Sequence, residues 1–558
     1  MLRYSKLSYF FAFCLLPGFS GVIHGQNVAC SIQQAPSDAA AKAFAQENYT
    51  TALQLYADAV KKNPQDFAAI VGQERTLLKM NVVDAAAKLA ETNADAHPND
   101  ALFAATLGEV RFRQGDMKDA AEQYGKAMKL NPCLARLHYD LYVWFWTRAM
   151  YATGYAQLVL AHQLMPDDPE IGRDWTGHLP LRKRTAALDT ELAKGANGTV
   201  AHHAEMVSLD ERLHAILAEK NGGCRLDSEV KTTTLPLEYL LSDSDINQFQ
   251  GLGFDVRFND KASARLELDT GASGILINRV TAKKAGLVPI ATDKINGIGD
   301  QGAAEAYWAY VDSFRIGALE FHNCLVEVSD KRSVVGIDGL IGANVFDDFH
   351  VTLDMPMRLM TLTPLPPRPG EITKAAPTLN AAGVNGGKSV AAGDSSSKSA
   401  AQPVAIRYHD RYVAPEMQGW MPFYLFGHEI LLAGALKDKQ PRLFLLDSGS
   451  NISDLSIRAA KSVGKIHSDS HYIVKGIDGK VKTVYVVDNA DLVFANLKDP
   501  LRFIPVFDID NISNNTGTEV SGIIGMDTLA MLIIDIDYRD GLIHLVFDPK
   551  HGTNVRIR

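Results

Sequence analysis

Two kinds of hydrophobic patterning divide the chain. From about Ser37 to Ile171, apolar and small residues recur at helical spacing among Ala, Leu, Gln, Glu and Lys, all good helix formers. Pro64, Pro98, Pro132 and Pro166 stand 34 residues apart, and Ala52, Ala86, Ala120 and Gly154 keep the same step. Ala59, Ala127 and Ala161 mark a second small position, with Asn93 in the same series. Small residues let paired helices approach closely, and proline ends the second helix of each pair. The period predicts stacked helical pairs over 34–175. A helical connector is expected over 176–234. It has a break at Leu179-Pro180, a helix over 183–194, and another helix opened by the capping box Ser208-Leu209-Asp210-Glu211 and stopped near Asn221-Gly222-Gly223.

From Leu235 the texture changes to short alternating strands and turns. Two β-rich stretches, 235–365 and 403–558, flank a segment at 366–402 dominated by Pro, Gly, Ala, Ser and Lys. Such a segment buries little apolar surface and is expected to be a flexible linker. Its reach, on the order of 35 Å root-mean-square, lets two lobes pack face to face, within one chain or between chains.

The two β-rich stretches repeat one frame. Arg265-Leu266-Glu267-Leu268 runs into Asp269-Thr270-Gly271-Ala272-Ser273, and Leu443-Phe444-Leu445-Leu446 into Asp447-Ser448-Gly449-Ser450-Asn451. A glycine turn follows each aspartate, Gly297-Ile298-Gly299 after 28 residues and Gly476-Ile477-Asp478-Gly479 after 29. Gly339-Leu340-Ile341-Gly342 and Gly522-Ile523-Ile524-Gly525 come next, their last glycines 73 and 78 residues after the aspartates. Apolar strands carrying Asp354 and Asp537, at 85 and 90 residues, close the two frames. Asp354, Asp535 and Asp537 lack the hydroxyl-glycine sequel, and turn or surface roles are expected for them.

On these residues both lobes resemble the retropepsin-like (pepsin/retropepsin superfamily) aspartic proteases, and the 34-residue period resembles tetratricopeptide repeats. The expected fold class is multidomain: an N-terminal α-helical solenoid followed by two mostly-β acid-protease-like lobes. The resemblance implies a catalytic pair, Asp269 and Asp447, one carboxylate activating water and one carboxylic acid polarising the scissile carbonyl. Two close aspartates do not both ionise readily, so they share a proton. Gly271 and Gly449 give the turns that present the carboxylates. By resemblance, Thr270 and Ser448 hydrogen-bond across the lobe junction and Ser273 orients Asp269. Asn451 stands at the equivalent place in the second lobe, where the family has serine or threonine. Gly297, Ile298, Gly299 and Gly476 are candidate flap residues, or ordinary hairpin turns.

Composition narrows the setting. Of 558 residues, 46% are hydrophobic and 22% charged, as in a globular protein of roughly three or four units. A formal net charge of -9 argues against nucleic acid as a partner. Arg3 and Lys6, the apolar run Tyr9 to Leu16 and the small residues after it form an export signal over 1–25. The run is too short for a comfortable membrane span, and no stable span is expected after cleavage. Periplasmic or extracellular placement follows. Cys30, Cys133, Cys224 and Cys324 remain beyond the signal; they form no CxxC pair, so no metal site is expected; four cysteines allow three full connectivities, and isolated core thiols with one disulfide are favoured.

The expected function is an exported aspartic endopeptidase without cofactor, acting on peptide or protein substrates, with a helical array that recruits a partner or substrate protein. The rival is a non-catalytic peptide-binding or scaffold protein that keeps the protease fold.

Overall fold

The computed structural model describes residues 3–4, 30–36, 38–195, 200–219, 223–241, 249–295, 297–300, 302–329, 338–369, 408–468, 472–476 and 479–547. Apart from the two-residue strand Arg3–Tyr4, the expected export segment lies outside the described residues, as does most of the expected linker.

The helical period is literal. Helices begin at Tyr49, Val83, Met117 and Tyr151, and their partners at Phe67, Ala101, Ala135 and Pro169, each series stepping by 34. The prolines sit in the turns between partners. Asp66, Asp100, Asp116 and Asp168 cap helix N-termini, each side chain accepting a first-turn N–H. Close approach depends on glycine at two points: a Cβ on Gly72 would lie 2.4 Å from the Tyr56 ring, and one on Gly108 2.5 Å from the Tyr124 ring. The connector forms helices Leu181–Ala193 and Val200–Ala218. The second corrects the capping-box expectation. It runs through Ser208, whose hydroxyl instead donates to the Thr292 carbonyl, while Glu211 accepts from the Thr292 N–H and hydroxyl. Tertiary partners on the first lobe outcompete a local cap.

Each lobe builds one sheet around the same trio. In the first, Gly339–Gly342 lies between Ala262–Asp269, to which it is parallel, and Ile275–Ile277, to which it is antiparallel. In the second, Val520–Ile524 lies between Pro441–Leu446 and Asp454–Ser456 in the same senses. The closing strands of the two lobes, Phe349–Asp354 and Leu532–Asp537, pair with each other antiparallel and found a six-stranded sheet shared by both. Asp537 takes the expected turn role, accepting the Asp540 N–H at 3.0 Å in the turn before Leu542, but it is fully buried and not on the surface.

All four cysteines pair, against the expectation of isolated thiols. Cys30–Cys133 ties the segment before the repeats to the array, and Cys224–Cys324 ties the connector to the first lobe.

The helical array is docked on the second lobe. Phe112, Tyr124, Leu137, Leu141 and Trp144 share one buried cluster with Phe426, Leu431, Leu443, Leu445, Phe507 and Ile523. Polar contacts rim it: Thr518 Oγ1 donates to Phe112 O at 2.6 Å, the Glu519 N–H to Arg113 O at 2.8 Å, and the Leu425 N–H to Thr147 O at 2.7 Å.

Candidate active site

The two aspartate loops leave their strands at the same point and meet at the lobe junction. Asp269 sits in register with Gly342, and Leu446, just before Asp447, with Ile524. The glycines of the supporting strands make room. A Cβ on Gly342 would lie 2.3 Å from Ala272 O, and one on Gly525 2.6 Å from the Ile452 carbonyl carbon.

A reciprocal clasp locks the loops together. Thr270 Oγ1 donates to Leu446 O at 2.8 Å and accepts the Ser448 N–H at 2.9 Å. Ser448 Oγ donates to Leu268 O at 2.7 Å and accepts the Thr270 N–H at 3.0 Å. Both hydroxyls are buried, so every one of these four backbone groups depends on its partner across the junction.

Inside the clasp the carboxylates are in contact. Each is held in its own loop by backbone donors: Gly271 N–H and Ala272 N–H to Asp269, Gly449 N–H and Ser450 N–H to Asp447, the two glycine bonds being 2.8 Å. The carboxyls also hydrogen-bond to each other. Glycine is required on both sides, because a Cβ on Gly449 would lie 2.6 Å from Asp269 Cγ and one on Gly271 2.8 Å from Asp447 Cγ. Burial, then the neighbouring carboxylate, pushes Asp269 well above the usual range, and burial raises Asp447. The pair therefore holds one shared proton where separate aspartates would hold none. Such a pair can take a proton from water with one member and give a hydrogen bond to a carbonyl with the other.

The supporting residues fall into two groups. Ser273 lies on the Asp269 loop, its Cα against Gly342. Asn451 turns away from the role set out for its position: its Nδ2 donates to Phe249 O of the first lobe at 3.2 Å, adding another link between lobes. Gly297, Ile298 and Gly299 lie at the tip of the hairpin formed by Pro289–Ile295 and Ala304–Ile316. Gly476 lies in a short ladder with Gly479. The two tips touch, since a Cβ on Gly476 would come within 2.3 Å of Ile298 O. Asn511 Nδ2 donates to Gly297 O at 2.9 Å, and the Lys482 N–H to Asp300 Oδ2 at 2.7 Å.

Sequence reasoning missed four groups around the pair. His428 Nε2–H donates to Gly271 O at 3.2 Å, and burial lowers its pKa, so it stays neutral. Glu267, Glu429 and Asp454 are carboxyls whose pKa values are raised by burial first, then by the charge of Asp269 and after it Asp447 for Glu267, and by that of Asp447 for Glu429 and Asp454. Glu429 is pushed up to about 8. The continuous apolar run at 443–446 and the paired motifs carried no signal for these acids. Away from this junction, the grouping of ion-ligating side chains found among the described residues is Asp189, Asp210 and His214, where His214 Nε2 pairs with Asp189 at 2.9 Å.

The raised Glu429 makes stability depend on pH. Its folded pKa lies above the ordinary 4.5, so the folded chain binds this proton more tightly than the unfolded chain does. That contribution is complete below pH 4.5 and is lost as pH rises towards 8. The melting temperature is expected to fall over that window, and Glu429→Gln, which cannot ionise, to flatten the fall; thermal scans at pH 4.5, 6 and 8 check it.

A family model described as aspartyl protease matches residues 254–345, which span Asp269 and Gly342 in the first lobe. No curated protein matches the chain. Among solved structures, the aspartic proteinase of Irpex lacteus is 9% identical, the match covering 58% of this chain and 99% of that one with a TM-score of 0.34. A thermophilic TPR protein of Thermus thermophilus is 24% identical over 32% of this chain and 92% of its own, with a TM-score of 0.24. MamA of Desulfovibrio magneticus, from its residue 41 onward, is 22% identical over 21% of this chain and 67% of its own, with a TM-score of 0.18. The chain thus joins a tetratricopeptide-like helical region to an aspartyl-protease-like domain.

Proposed function

We propose that the chain is an exported aspartic endopeptidase in which Asp269 and Asp447 activate water. The observation that carries this reading is the clasp: Thr270 and Ser448 exchange hydrogen bonds across the lobes, and the Asp269 and Asp447 carboxyls meet between them. Asp447, as carboxylate, takes the proton of a water. Asp269 passes the shared proton to the scissile carbonyl oxygen as the hydroxyl of the water adds to its carbon, giving a gem-diol. Asp447 then hands the proton it took from the water to the amide nitrogen, the C–N bond breaks, and a gem-diol hydroxyl returns its proton to Asp269 as the new carboxyl group forms. The reaction draws on carboxyl groups and water alone. The hairpin tips at Ile298 and Gly476 serve as the flaps that admit and cover the peptide.

Export is supported by the two disulfides, which persist in oxidising compartments. The helical array has two roles in this reading. Its docked face completes the second lobe, and its remaining surface takes a partner or substrate protein. Incubation of an unfolded protein with the wild type and with the Asp269→Asn and Asp447→Asn chains tests the reading. Cleavage by the wild type alone supports it; equal cleavage by all three removes the aspartate pair from the reaction, and cleavage by none favours a peptide-binding scaffold.

A further inference from the structure

Glu267 is the group that the proposed chemistry leaves unused. Successive side chains of a strand alternate faces, so Glu267 shares a face with Asp269 two residues on. Directly across the ladder stands Gly253. The carboxyl does not sit over Gly253 but one step further along, over Gly251, where a Cβ would lie 2.1 Å from Oε1. Because the strands are antiparallel, that step runs towards the Asp269 end. The side chain therefore leans along the sheet to the catalytic pair, into room that exists because position 251 is glycine.

Its surroundings are incomplete. Glu267 is only 3% exposed. Among the described residues no hydrogen bond reaches Oε1. The charged groups that act on it are Asp269 on its own strand and Asp447 across the junction, both acidic. A buried carboxyl oxygen without a donor is destabilising; burial and its acidic neighbours keep a proton on Glu267 in the free chain, and an arriving cation displaces that proton to solvent and pairs with the carboxylate. A shared metal ion does not fit: among the described residues, the three-residue grouping with ligand atoms within 4.8 Å of one another lies elsewhere, at Asp189, Asp210 and His214. A long basic side chain, which carries its charge on an apolar stem, does fit a single unpartnered carboxyl oxygen beside the Asp269–Asp447 pair.

We propose that Glu267 is a specificity-determining residue that receives the cation of a lysine or arginine side chain beside the scissile bond. The inference rests on the endopeptidase reading and deepens it. On the second lobe the matching strand position is Leu445, apolar and covered by the helical array, so the acidic preference belongs to the first-lobe side of the cut. Glu429, which lies near Asp447, adds a second carboxyl to the same junction.

The test uses two sets of oligopeptides that differ only in carrying lysine or norleucine at the residues flanking one cleavable bond. Norleucine keeps the stem and removes the charge. The ratio of kcat/KM for lysine over norleucine at the responsive position is expected to exceed about 10 in the wild type and to fall to about 1 in Glu267→Gln. Gly251→Ala, which displaces the carboxyl without changing charge, is expected to lower the same ratio. A wild-type ratio near 1, or a ratio unchanged in both variants, overturns the proposal while leaving dyad-dependent cleavage intact. If no peptide is cut, the endopeptidase reading fails on its own. Calorimetric binding of the two peptides to the full chain then decides Glu267 separately: tighter lysine binding lost in Glu267→Gln supports it, and equal binding overturns it.

Discussion

Asp447→Asn is expected to lower cleavage of an unfolded protein by about 10³-fold or more, and Asp269→Asn by a similar factor. The double variant is expected to be no worse than either single one, because the carboxyls act as a unit. An amide in place of either aspartate keeps the size and the backbone bonds from Gly271 or Gly449 but ends proton exchange within the pair. The pH dependence follows from the same geometry. Burial raises both carboxyls and the neighbouring Asp447 raises Asp269 further, so the shared proton persists above the ordinary aspartate value of 3.8. Activity should therefore rise from strong acid as Asp447 ionises, and fall again when the shared proton leaves. Initial rates on a fluorescent unfolded protein from about pH 2 to 8 measure both limbs.

Removing residues 30–177 is expected to leave lobes that do not fold stably. Phe426, Leu431, Leu443, Leu445 and Ile523 are buried with Phe112, Tyr124 and Trp144 of the array. Uncovering a large apolar side chain costs roughly 1.5–3 kcal/mol, so losing several at once rivals the roughly 5–15 kcal/mol that holds a typical domain together. The truncated chain should aggregate or bind a hydrophobic dye, and its soluble fraction should show no cooperative melt. A truncated chain that melts like the intact protein would mean that the array is an independent module. Because residues 30–177 contain both Cys30 and Cys133, no half-disulfide complicates the comparison.

This docking was legible in part. In the first lobe the strand before the aspartate alternates, Arg265-Leu266-Glu267-Leu268, whereas the second reads Leu443-Phe444-Leu445-Leu446. A strand apolar on both faces is covered on both faces, and the second cover is the array. The 34-residue helical step and the duplicated strand frame were visible because each is a local, periodic pattern. The cross-lobe pairing of Phe349–Asp354 with Leu532–Asp537 was not, since register between distant strands leaves no local trace. Nor was the disulfide pairing, because four cysteines permit three connectivities. The burial of Glu267 left no local trace either, because its approach to Gly251 on the neighbouring strand is a tertiary contact. Ser208 misled, its capping pattern being spent on Thr292 of the neighbouring lobe.

The central claim is that water, activated between Asp269 and Asp447, is the nucleophile. Its most direct test is cleavage of a defined peptide in water enriched in oxygen-18, with hydroxylamine added as an acyl trap. One oxygen-18 in each new carboxyl group and no hydroxamate is the result expected. Hydroxamate formation would place a side-chain nucleophile, such as Ser273 or Ser450 on the same loops, in the reaction and contradict the mechanism.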